Sequence, residues 1–143
     1  MTTLYGVNKT KSLTPTGSNI LERGLAEGRV RVMVDQYSMA SMTGTSDVLQ
    51  LGTTLAPGAK ILGIRLTVTA NQTSLTSKLG TLYNDDEFVS AGNTDLQSAG
   101  NYWYEGKGYV VGTAALDNQI ILTNAAAAGS AATLYCTIFY TNE

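Results

Sequence analysis

Few side chains in this 143-residue sequence are equipped for chemistry. It contains no histidine, which removes the usual general base, the commonest metal ligand and every Ser–His arrangement. The single cysteine, Cys136, sits in an apolar strand pattern with no imidazole to activate it, so it reads as a core thiol. No strand–Gly-rich–Lys–Ser/Thr order that cradles phosphate occurs, and zinc lacks its ligands. The acids gather at Asp85-Asp86-Glu87, with Asn84 before them and Asn93 and Asp95 after. Such oxygens read as a solvated turn or as a hard-cation site, although the spacing is not that of a calcium loop. Acids bunched in one turn do not face each other across a cleft, as a glycosidase pair must. No catalytic residue, cofactor or metal site is therefore assigned, and an enzyme is not expected. Whether Asp85-Asp86-Glu87 holds a cation stays open.

The other notable cluster is aromatic: Tyr102-Trp103-Tyr104, with Tyr109 nearby. On a strand, Tyr102 and Tyr104 point one way and Trp103 the other, so one side is core and the other a contact surface. Packing in the core, a protein interface and a sugar-stacking platform are the three readings of these rings.

The elements that position these groups are β-strands. Arg29 to Tyr37 alternates, with Val30, Val32 and Val34 facing one way and Arg31, Met33 and Asp35 the other. Ser38 to Ser46, with Met39 and Met42, reads as a flexible connection. Asp47 to Leu51 is a second strand, and Pro57-Gly58 marks a turn in which glycine supplies positive φ. Lys60 to Thr69 is the clearest central strand, with Leu62, Ile64, Leu66 and Val68 as its inward row. Further strands are expected at 76–83, 88–90, 108–113 and 119–123, with a turn around Leu116-Asp117-Asn118. The alanine-rich 124–132 reads as a connection. Thr133 to Thr141 closes the chain as a central strand, because so apolar an edge would invite aggregation. About eight strands with no long helix predict an all-β antiparallel sandwich or jelly roll over residues 28–143.

Residues 1–27 carry no such pattern and read as an extended arm, long enough at roughly 3.3 Å per residue to reach about 90 Å. Leu4, Tyr5, Val7, Leu13, Ile20, Leu21 and Leu25 are spaced apolar anchors along it. Charge divides along the same line. Residues 1–31 hold Lys9, Lys11, Arg23, Arg29 and Arg31 against Glu22 and Glu27, a balance of +3. The remainder holds four cations against nine anions, which makes it −5 and brings the chain to −2. A basic arm on an acidic body suits docking on an acidic neighbour, including another copy. The cations are too few and too dispersed for a nucleic-acid footprint. No basic-then-apolar leader opens the sequence and no apolar run nears the roughly 20 residues that span a bilayer, so no membrane partner is expected.

Three segments carry a resemblance: the opening Met1-Thr2-Thr3-Leu4-Tyr5-Gly6-Val7-Asn8-Lys9-Thr10, the strand Gly28 to Tyr37 with its Ser/Thr/Met-rich linker, and Leu55 to Leu62. Together they resemble small structural proteins of tailed bacteriophages, the capsid decoration or cement proteins. The resemblance extends over about half of the chain, up to Thr69, and is diffuse beyond. It implies a jelly-roll-like domain that sits as a homotrimer on the phage head, made in the host cytoplasm and clamping major capsid protein subunits with its extended terminus. The partner-binding residues expected on this reading are Leu4, Tyr5, Lys9, Lys11, Arg23, Arg29, Arg31, Tyr102, Trp103 and Tyr104. A virion-surface lectin-like module that binds host glycans through Tyr102, Trp103 and Tyr104, and a tail or neck component, are the alternatives.

Overall fold

Alternating valines and polar residues draw the chain into its first strand, β1 (Val30–Ser38). A computed structural model describes residues 29–91, 94, 96–113 and 117–142. The expected arm therefore lies outside the described residues, as do Asn93, Asp95 and Leu116. After β1 come β2 (Val48–Leu51), β3 (Lys60–Val68), β4 (Thr76–Thr81), β5 (Gly100–Glu105), β6 (Ile120–Ala126) and β7 (Thr133–Thr141).

These seven strands form two antiparallel sheets, ordered β1-β7-β3-β5 and β2-β6-β4. Consecutive strands alternate between the sheets, which is the wrap of a jelly roll. Phe88 and Val89 add a further contact beside β4 through the Leu79–Val89 bridge. The closing strand is central, as its composition required: β7 lies between β1 and β3. The Pro57-Gly58 turn also forms as expected. The Ala59 amide donates to the Ala56 carbonyl at 3.0 Å, and Gly58 adopts φ +86°, which a side chain would strain.

One core cluster holds the sheets together. It combines Ile61, Ile64, Leu66 and Val68 of β3 and Leu134, Cys136 and Ile138 of β7 with Leu51, Leu79, Ile120 and Leu122 of the smaller sheet. The inward row of β3 differs from expectation at one residue. Leu62 faces out and Ile61 takes its place in the core. The register of β3 on β7 slips between Ile61 and Gly63, so a bulge sets Leu62 out of the regular alternation.

Three other segments correct the sequence reading. Met39 and Met42 are fully buried, and a short 3₁₀ turn (Met39–Ser41) carries the chain between them. The Met39 amide donates to the Ala132 carbonyl at 2.9 Å, so this connection is pinned into the core, where unbranched methionines fill its irregular margin. Residues 108–113 form no strand of their own; they lie against the start of β3 through the Lys60–Val110 bridge, with the Ile61 amide donating to the Tyr109 carbonyl at 2.9 Å and the Val111 amide to the Ala59 carbonyl at 2.8 Å. Two of the alanine-rich residues, Ala125 and Ala126, belong to β6, and Asn124 is buried with its side-chain amide donating to the Gly44 carbonyl at 2.8 Å.

Candidate interaction surface

Residues paired across a sheet share a face, so the register of the four-stranded sheet assembles its outer surface row by row. One row runs Val32, Phe139, Gly63, Glu105. The next runs Val34, Thr137, Arg65, Trp103, and a third Gln36, Tyr135, Thr67, Asn101. The face is apolar at the β1 end, where Val30, Val32 and Val34 are 57%, 52% and 68% exposed. Leu62, Tyr135 and Trp103 are further large exposed apolar side chains, Trp103 at 50%.

The centre of the face is tightly built. The ring centroids of Trp103 and Phe139 lie 5.3 Å apart at 54°. They meet across Gly63, where a Cβ would come within 2.1 Å of the indole. The indole nitrogen of Trp103 donates to Glu105 Oε1 at 2.8 Å, which ties the ring to its own strand. Beyond it Arg65 Nη2 and Thr67 Oγ1 both donate to Asn101 Oδ1, at 3.0 and 2.7 Å. The surface thus joins preset apolar rings to a small polar rim, as protein interfaces do.

Beneath β1, the opposite row packs on the loop after β2. The Tyr37 hydroxyl donates to Asp35 Oδ2 at 2.5 Å and accepts from the Gly52 amide at 2.6 Å. The Tyr37 bond and the Gln36 amide hold the Asp35 carboxyl below its usual range. Burial, and then the Asp35 contact, push the Tyr37 phenol up. Burial likewise pushes the Cys136 thiol up to about 12.

The expected site residues separate here. Trp103 stands on the outer face, whereas Tyr104 is buried and its hydroxyl donates to the Thr94 carbonyl. Tyr102 packs against the core and donates to the Ser98 carbonyl at 2.7 Å. The three rings therefore do not form one platform. Arg29 and Arg31 are exposed. Leu4, Tyr5, Lys9, Lys11 and Arg23 lie outside the described residues. At the acidic turn, Lys78 pairs with Asp85 at 3.0 Å, and Asn84 Nδ2 donates to Glu87 at 2.9 Å. Among the described residues, no three His, Cys, Asp or Glu side chains are grouped to hold a metal ion.

Sequence reasoning did not single out Val30, Val32, Val34, Leu62 or Phe139 as surface. Their alternation was legible, but which side of it faces water depends on where β1 sits over the smaller sheet. A concavity of about 530 Å³ lies over β2, β6 and β4, lined by Val48, Lys78, Tyr83, Asp85, Ile121 and Thr123 among others.

The fold is shared with chains from three phage capsids. A chain of the cyanophage Pam1 capsid asymmetric unit superposes with a TM-score of 0.66 at 16% identity, covering 81% of this chain and 86% of that one. A chain of the capsid of Ralstonia phage GP4 gives 0.59 at 15% identity, with 81% and 86% covered. A chain of the acid-stable capsid of Helicobacter pylori bacteriophage KHP30 gives 0.56 at 15% identity, with 78% and 86% covered. No protein-family model and no curated protein matches the sequence. At such identities the likeness is one of fold.

Proposed function

We propose that this protein is a non-enzymatic structural component of a phage virion, a decoration or cement protein that binds the major capsid protein on the head surface. The observation that carries this reading is a rigid sandwich, of a fold found in chains of phage capsids, whose outer sheet face is apolar around Trp103 and Phe139. A monomer gains nothing from exposing valines and an indole on one face, whereas an interface does. Self-association as a homotrimer belongs to the same reading, through the resemblance of the sequence to decoration proteins. Once bound, the protein adds buried area across the joints between capsid subunits, so rupture must break more contacts.

The test is co-sedimentation of the full chain with purified heads that lack it, and separately with tails. Binding to heads is expected, weakened about tenfold or more by Trp103→Ala, the scale of a contact worth about 1.4 kcal/mol or more. Binding to tails alone, or to neither, overturns the proposal.

A further inference from the structure

The four edges of the two sheets are not alike. Among the described residues, β2 is four residues long, β5 is six, and β4 has the Phe88–Val89 segment bridged beside it. The remaining edge, β1, is nine residues long and regular, and its register on β7 runs without a break from Val30 to Ser38. It has no proline, no lysine and no bulge; of the devices that blunt an edge strand it carries the two charges Arg31 and Asp35. Such an edge is a template for another strand.

Its sequence says which strand. Arg31-Val32-Met33-Val34-Asp35 is apolar about Met33 and carries opposite charges at its two ends. Laid antiparallel on a copy of itself with Met33 opposite Met33, it places Arg31 opposite Asp35, twice, and Val32 opposite Val34, twice. A two-fold contact needs a surface complementary to itself, and this one is. Centring on Val34 leaves Arg31 opposite Tyr37 and Asp35 opposite Met33, whereas centring on Val32 leaves Arg31 opposite Met33 and brings Arg29, which precedes β1, opposite Asp35.

We propose that β1 is a self-pairing edge, on which a second copy of this chain docks its own β1 antiparallel, centred on Met33. The two four-stranded sheets then become one sheet of order β5-β3-β7-β1-β1-β7-β3-β5. The exposed rows Val30, Val32 and Val34 of both copies form one continuous apolar strip on its outer side. Opposite charges placed directly across an antiparallel pair favour this register over the one centred on Val34, and over the one centred on Val32 because Arg31 lies within the strand and Arg29 outside it. The contact is two-fold and so is separate from any three-fold one. It links copies in pairs wherever two of them meet on a surface, whether or not that surface is a capsid.

Cross-linking of the full-length chain tests the register. Two single variants, Val32→Cys and Val34→Cys, are oxidised mildly, alone and as an equal mixture. Paired Cα atoms in antiparallel strands lie at distances a disulfide spans. The buried Cys136 serves as internal background, read in the unmodified chain. The mixture is expected to give several-fold more disulfide-linked dimer than either variant alone, with residues 32 and 34 joined in the peptide map. Introducing Arg31→Asp into both variants is expected to remove that excess, and Arg31→Lys to keep it. A mixture that links no better than the single variants overturns the proposal, and so does linkage that ignores Arg31→Asp. Circular dichroism confirms that each variant is folded.

Discussion

The indole of Trp103 lies directly over Gly63, and no side chain other than hydrogen fits between them, because a Cβ there would meet the ring at 2.1 Å. The bulge at Ile61–Gly63 and the tryptophan on β5 are thus two halves of one feature. Gly63→Ala is expected to displace the half-exposed ring from Phe139 and cost about 0.5–1.5 kcal/mol, the scale of a lost aromatic pair. Tryptophan fluorescence and urea unfolding read the two effects. An unchanged emission maximum would show that the ring does not rest on Gly63.

The outer face and the core respond differently to substitution. Leu122 is fully buried in the cluster that joins both sheets, so Leu122→Ala is expected to cost about 2–5 kcal/mol. It should lower the urea midpoint with little change in slope. Val34→Lys, on a side chain 68% exposed, is expected to stay within about 0.5 kcal/mol of the parent.

A glycan-binding role makes a sharp demand on Trp103, since Tyr102 and Tyr104 face the other way and Tyr104 is buried. On a glycan array the chain is expected to give no signal that Trp103→Ala removes. A ligand lost on that substitution would favour the lectin-like alternative over capsid binding.

Alkaline pH is expected to destabilise the fold through Cys136 and Tyr37. Both titrate higher in the folded state than their ordinary values of 9.0 and 10.0, Cys136 at about 12. Above pH 9 the unfolded chain releases these protons while the native state keeps them, so stability falls as pH rises. Cys136→Ala should flatten the first part of that fall in urea melts between pH 8 and 11. The same thiol should resist a disulfide reagent at pH 8 until the chain is unfolded.

Removal of residues 1–27 tests the expected arm. The shortened chain is expected to keep a β-type circular dichroism spectrum and to lose its binding to heads. Retained binding would place the whole contact on the sandwich.

Much of this architecture is written locally. The alternation of β3 and β7, the Pro57-Gly58 turn and the absence of histidine are legible residue by residue, because pleat period, turn geometry and donor chemistry are short-range properties. Those short-range signals specify an antiparallel β protein with a core thiol and no imidazole chemistry. Three decisions belonged to the tertiary structure. A single bulge exchanged Leu62 for Ile61 in the core, since bulges arise from pairing with another strand. Met39 and Met42 turned from a linker into core, because burial depends on what the rest of the chain leaves open. The valine row of β1 faced outward because the smaller sheet packs on the other side, where Met33 and Tyr37 meet Gly52 and Thr53. Alternation separates two faces of a strand, and only the second sheet decides which of them is inside.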